Sequence, residues 1–224
     1  DERPALERRF AAYYLDLVDQ LTAGAATVSD SAALGALHRA RGNFRAILAI
    51  AASGRNLEAG VQLALKLADY WYRTGQLGEA AQWFERLLSQ FSGSEQSAAR
   101  ISLLRNAGQF ALYRGDLQAS VNFYEAALEA IEVAGASDEH VATLIDLANV
   151  WLCRGDVAEM ERVLARLDAL PGPRTNLREA GEQYMRGALL ATAGAFDQAR
   201  EALKAALDLA EALGDPEYNL MQLR

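Results

Sequence analysis

The sequence holds one cysteine, Cys153, and two histidines, His38 and His140. A thiol and an imidazole make a nucleophile and base only within hydrogen-bond reach. Cys153 and His140 lie 13 residues apart in a stretch that reads as one helix. At 1.5 Å per residue that is about 20 Å, too far for direct contact. An enzyme acting through Cys153 is therefore a remote alternative; the plainer expectation is a small half-buried thiol and, separately, a first-turn surface histidine. Glu139-His140 lacks the second histidine of a His-Glu-x-x-His zinc motif, and His38 stands about a hundred residues away. Lysine occurs only at Lys66 and Lys204, and no Gly-x-x-x-x-Gly-Lys-Ser/Thr phosphate loop is present. Carboxylates are plentiful, but Glu125, Glu129 and Glu132, for example, fall on a face that reads as solvated. No catalytic residue, metal ligand or cofactor is expected.

The remaining chemistry is that of a surface. Amide side chains donate and accept hydrogen bonds at once, which suits an extended peptide backbone. The candidates are Lys66, Asp69 and Arg73, then Asn106, Gln109 and Tyr113, then Asp146 and Asn149. They are singled out because each falls opposite an apolar helical stripe, on the first helix of a repeated pair. Gln62, Ser102, Ala142 and Cys153 share that face. In a fourth unit Gly181, Met185, Ala188 and Thr192 make it small and nearly apolar. If the first helices line the inside of a stack of pairs, these residues form a concave groove.

The repeat that positions them is written in the glycines. Gly75, Gly115, Gly155 and Gly194 are spaced 40, 40 and 39 residues apart, a period in the range of stacked supersecondary units. Seven residues before each glycine is a small residue: Ala68, Gly108, Ala148 and Gly187. Two after it is an apolar one: Leu77, Leu117, Val157 and Phe196. Nine after it is a large one: Phe84, Tyr124, Leu164 and Leu203. Before Gly75, the stripe Ala64, Leu67, Ala68 and Trp71 predicts a helix. After it, Leu77, Ala80, Ala81, Phe84, Leu87 and Leu88 predict the partner helix. Glycine ends the first helix in the left-handed conformation and turns the chain. The small residue seven back leaves room, where the two helices cross, for the large one nine ahead. Trp71, Trp83, Phe84, Tyr124 and Trp151 fall on the buried phase and read as core.

Gly93, Gly135, Gly172 and Gly214 mark the turns between pairs, with Pro171 and Pro173 flanking Gly172. Capping boxes are expected at Ser92 with Glu95, Asp156 with Glu159 and Asn176 with Glu179. No alternating run of strand length competes. The expected organisation is an atypical helical cap over 1–54, then pairs over 55–93, 94–135, 136–172 and 173–214, and the start of another over 215–224. Residue 1 is Asp, and the last residues read as a helix opening at Pro216, so a piece of a longer protein is expected.

Composition agrees. The chain has 224 residues, 22 basic and 30 acidic, for a net charge of −8. Roughly a third is alanine and leucine, the composition of closely paired helices. A net negative chain is a poor neutraliser of phosphates, so no direct nucleic-acid contact is expected. No run of about 18–20 apolar residues offers a membrane span. One cysteine fits a reducing, cytoplasmic setting.

The spacing of Ala68, Trp71, Gly75, Ala80 and Phe84 resembles the tetratricopeptide repeat, and Asn106-Ala107-Gly108 with Gly115-Asp116 is closer still. The resemblance covers about 55–224, with Ser120 and Met160 where alanine is usual. It implies an all-α fold, a right-handed superhelix of antiparallel helix pairs, or α-solenoid. The usual repeat is 34 residues, so a period near 40 implies longer helices.

A second resemblance lies further forward. Phe10-Ala11-Ala12-Tyr13-Tyr14-Leu15, the stretch from Leu37 to Leu48, Trp71 to Gly75, and Trp83-Phe84-Glu85-Arg86-Leu87-Leu88 follow one another in a familiar order. This order is similar to the segment joining the winged-helix part to the helical tail in bacterial signal-transduction ATPases and multidomain transcriptional regulators. The chain departs from that pattern in carrying Arg39, Ala40 and Gly42. The resemblance implies a tail that binds a protein, a peptide or a small effector and restrains the ATPase part of its parent protein, with the nucleotide site outside this sequence. The competing expectation is a self-associating scaffold that forms a homodimer.

Overall fold

The computed structural model describes residues 2–22, 31–91, 97–134 and 137–213. The turns expected at Gly93, Gly135 and Gly214, the Ser92–Glu95 box and the helix expected after Pro216 lie outside them. Every element among the described residues is a helix, and the chain divides into two compact units, Asp1–Asp116 and Leu117–Arg224.

The first unit holds α1 (Arg3–Thr22), α2 (Ser31–Ala51), α3 (Leu57–Lys66), α4 (Ala68–Arg73), α5 (Leu77–Leu88) and α6 (Ala98–Tyr113). One helix was expected before Gly75; two are found, broken at Leu67. The break is slight, because the Leu67 N–H still reaches the Leu63 carbonyl and the Trp71 N–H the Leu67 carbonyl, each at 3.0 Å. Ala64, Leu67 and Trp71 therefore keep their phase and are all buried. Trp71 meets Phe84 edge-on at 5.8 Å, and Phe84 meets Phe110 at 5.4 Å, which joins α4, α5 and α6 through one aromatic seam. Helices α2 and α3 approach closely at Gly60. A Cβ on Gly60 would lie 2.1 Å from the Ala51 Cβ, so only glycine permits this crossing.

The second unit holds α7 (Leu117–Ala134), α8 (Ser137–Arg154), α9 (Val157–Asp168), α10 (Asn176–Thr192) and α11 (Phe196–Leu213). Helix α8 packs on α7, α9 and α10, and α10 packs on α9 and α11. Tyr124, Leu128, Leu144, Leu147, Leu167 and Met185 form the core, and Ser120 and Met160 are buried at the alanine positions. The unit boundary after Asp116 falls inside the repeat expected over 94–135: within the first unit α6 packs on α3 and α5, and within the second α7 packs on α8.

The four phased glycines behave alike. Their φ values are 68° at Gly75, 77° at Gly115, 72° at Gly155 and 79° at Gly194. At each, the glycine N–H bonds the carbonyl three residues back, and the next N–H bonds the one five back. Gln76 to Trp71 (2.8 Å), Asp116 to Ala111 (2.9 Å), Asp156 to Trp151 (3.0 Å) and Ala195 to Leu190 (2.9 Å) are the long members. This is the Schellman closure, which satisfies carbonyls that a helix end leaves open. The Gly187–Leu203 pairing also follows the phase: a Cβ on Gly187 would stand 2.7 Å from Leu203 Cγ. Asp156 caps α9, its side chain accepting from the Glu159 N–H at 3.2 Å. The cap of α10 is Thr175, accepting from the Arg178 N–H, one residue before the Asn176 expected. Trp71, Trp83, Phe84 and Tyr124 are buried as read, while Trp151 is only half-buried, with the Arg154 guanidinium 5.4 Å above its ring.

Candidate functional site

In the first unit the candidate residues lie along α3, α4 and α6. Lys66 is exposed and pairs with Asp19 of α1. One turn on, Arg73 Nε donates to both oxygens of Asp69, at 2.8 and 2.6 Å. These charges cancel locally, so the face is polar without a strong field. Asn106 donates to the Ser102 carbonyl at 2.9 Å, which holds its amide on its own helix and leaves the side-chain oxygen as acceptor. Gln109 is half-buried on the next turn of α6.

Tyr113 ends this row and has a neighbour that the periodicity did not pick out. Its ring lies 4.5 Å from that of Tyr72, tilted by 35°, so α4 and α6 are bridged by a tyrosine pair. Tyr72 is 41% exposed and Tyr113 37%, so the pair presents aromatic surface to solvent. Tyr72 was overlooked because it sits beside the buried Trp71, one residue off the expected face.

The second unit differs from expectation. Asp146 is only 6% exposed, and Ala142, Gly181, Met185 and Ala188 are buried. Asn149 is half-buried and accepts a hydrogen bond from the Tyr184 hydroxyl of α10. The reason is the crossing of α8 and α10: a Cβ on Gly181 would stand 2.7 Å from Ile145 Cδ1. The face assigned to solvent on these helices is instead where they meet. Asp146 and Asn149 are therefore largely covered within their own unit. Burial pushes the Tyr184 phenol up to about 12, with a smaller push from Cys153.

Sequence reasoning also missed the best-buried charges. Arg178 is 6% exposed and Glu182 3%. Arg178 donates from Nε to Glu182 (3.3 Å), from Nη1 to the Leu170 carbonyl (2.7 Å) and from Nη2 to the Asp168 carbonyl (2.8 Å). It thus ties the end of α9 and the following loop to α10. Arg174 also donates to Glu182, and Arg186 lies 3.9 Å from it. Burial alone would raise the Glu182 carboxyl, but Arg174, then Arg186 and Arg178, outweigh it and hold the group below the usual carboxylate value. The sequence signal was an Arg–Glu pair four apart, which reads as an ordinary surface pair until the loop folds back over it.

The pinned loop walls a cavity of about 320 Å³. Its other sides come from Ile131 and Glu132 of α7 and from Asp138, His140 and Val141 of α8. His140 is half-buried here, where a surface histidine was expected. Burial lowers its pKa, Glu132 pushes the other way and Arg166 adds to the lowering. Glu125, expected on a solvated face, is half-buried and takes two bonds from Arg166 Nη1, at 2.8 and 3.1 Å.

Cys153 is exposed, where a half-buried thiol was expected, and it shares α8 with His140, as the spacing implied. Among the described residues no group of three His, Cys, Asp or Glu side chains could hold a metal ion, and no helix is long and apolar enough to cross a membrane.

No protein-family model matches the chain, and no curated protein matches it. Solved structures do. BtubC (BKLC) from P. vanneervenii is 19% identical with a TM-score of 0.56, over 94% of this chain and 92% of that one. The nearly identical TPR-like repeats of a kinesin light chain-like protein from Podosopora anserina, in a singly substituted form, are 18% identical with a TM-score of 0.63, over 96% and 100%. Another structure of those repeats is also 18% identical, with a TM-score of 0.56 over 95% and 97%. The phased glycine turns, the all-helical pairing and these likenesses together show a TPR-like helical-repeat fold, an α-solenoid architecture.

Proposed function

We propose that the chain is a non-catalytic interaction module that holds an extended peptide or protein segment on the α3–α4–α6 face of its first unit. The observation that carries this is the exposed Tyr72–Tyr113 pair. Tyrosine supplies large, rigid contact area at low entropic cost, and such residues dominate binding energies when water is excluded around them. Asn106, Gln109 and the neutralised pairs Lys66–Asp19 and Asp69–Arg73 supply the polar rim. A face without net field selects by backbone hydrogen bonds and stacking, not by opposite charge. Folds of this kind generally mediate protein–protein contacts, which supports the reading.

In its finer form the module is the cytoplasmic tail of a bacterial transcriptional or signalling regulator, acting on an ATPase through differential affinity for two states. That form is supported by the order of motifs from Phe10 to Leu88. A self-associating scaffold is the alternative reading, and light scattering across a concentration series separates the two.

The test is a peptide array probed with the wild-type chain, with Tyr72→Ala/Tyr113→Ala and with Asn106→Ala/Gln109→Ala. Both variants should lose most of the peptides the wild type retains while keeping its helicity. A tyrosine variant that retains every peptide would overturn the assignment of this face.

A further inference from the structure

The second unit has a cavity of its own, and its features point to a different kind of ligand from the peptide proposed for the first. About 320 Å³ is at the lower end of small-molecule sites, room for one or two fused rings. It is open to solvent on one side, and Glu132, Asp138, Pro171 and Pro173 on its lining are exposed. Here the far wall is held from behind. Arg178 pins the carbonyls of Asp168 and Leu170, Pro171 and Pro173 fix their own φ, and Thr175 caps α10 where the loop ends. The wall is organised before any ligand arrives, which lowers the ordering cost of binding.

We propose that this cavity binds a small, uncharged, mainly aromatic molecule bearing one hydrogen-bonding head group, of the phenol or indole class. Ile131, Val141, Leu170 and the two prolines supply apolar walls. His140 supplies the polar anchor. It lines the cavity and makes no hydrogen bond to another described residue. Being half-buried with a lowered pKa it is neutral at pH 7, so it offers one N–H and one lone pair. Charge selects against anions: Glu132 and Asp138 both line the cavity and are exposed, and the Arg178 cation already has Glu182 as its counter-ion. A carboxylate or phosphate would meet two acids and no free cation among the lining residues.

The experiment is a titration of the whole chain with indole, phenol and benzoate, followed by the ring resonances of His140. Indole and phenol should shift these resonances saturably at millimolar concentration, and benzoate, of phenol's size but charged, should shift them far less. His140→Ala should weaken phenol binding roughly tenfold, the worth of one hydrogen bond of about 1.4 kcal/mol. Leu170→Trp fills the cavity while leaving the backbone carbonyl for Arg178, and should abolish binding with helicity unchanged. Absence of a saturable His140 shift, equal shifts with benzoate and phenol, or full binding by a folded Leu170→Trp chain would each overturn the proposal. If Leu170→Trp does not fold, unchanged phenol affinity in His140→Ala is decisive against it.

Discussion

Replacing Gly60 by alanine tests how α2 and α3 are held together. The added methyl would lie 2.1 Å from the Ala51 Cβ, where two carbons at rest stand about 3.5–4.0 Å apart. Neither atom can rotate away, because each is fixed directly to a helix backbone, and Ala51 is fully buried. The helices must therefore separate by about 1.5 Å, opening the contact of Leu87 with the same site. Overpacking of this kind costs about 1–3 kcal/mol. Alanine's helix propensity returns up to about 1 kcal/mol, less in a first turn such as this. A net loss of about 1–2 kcal/mol is expected. Ala51→Gly alone should cost about 1–2 kcal/mol through a lost buried methyl and a less favourable helix residue. The double variant moves the methyl from one helix to the other and restores the contact. Its loss should fall short of the summed single losses by more than about 1 kcal/mol. Urea unfolding followed by tryptophan fluorescence reads this out in a Trp151→Phe background, where Trp71 and Trp83 of the first unit report alone. A Gly60→Ala chain as stable as its parent, or strictly additive single changes, would refute the argument.

In the second unit, Gly187→Ala drives a Cβ against Leu203 and should destabilise by about 1 kcal/mol; in a Leu203→Ala background the same change should be neutral or stabilising by calorimetry. The raised Tyr184 pKa means the folded chain keeps a proton that the unfolded chain releases near 10.0. That contribution is full below pH 10 and is lost as pH rises through about 12, so Tyr184→Phe should flatten the alkaline limb of the stability profile. Glu182 has the opposite sign: its lowered pKa gives stability that is present above the ordinary carboxyl value and lost as pH falls through the folded one. Glu182→Gln should cost on the order of 3 kcal/mol at pH 7, by leaving Arg178 buried without its counter-ion, and should reduce the acid-side slope in pH-dependent urea melts.

The features legible in the sequence are those set within five residues or by a fixed spacing around a turn. A helix that must end and reverse needs a residue at positive φ, and glycine adopts it at least cost, so the phased glycines mark four matching hinges. Once a hinge is fixed, the residue seven before it and the one nine after are brought opposite each other, which is why Gly187 and Leu203 meet. The cap at Asp156 is likewise local. Gly60 and Ala51 do not share the 40-residue phase, and nothing in either helix alone marks their contact.

Which side of a helix is covered depends instead on the packing of distant elements. An apolar stripe names one buried face, but a helix packed against several others buries more than one, and small residues such as Gly181 and Ala188 then mark a crossing instead of an open surface. That is why Asp146 and Asn149 are covered by α10 and its neighbours, while Lys66, Asp69, Arg73, Asn106, Gln109 and Tyr113 keep some solvent exposure. Arg178 and Glu182 make the same point with charge. Their spacing is that of a surface pair, and they became a buried clamp because a loop returned two backbone carbonyls to the guanidinium. Hinges and helix phase follow from local backbone sterics and hydrogen bonds; faces, clamps and cavities follow from which distant elements pack, and that is settled only when the whole unit folds.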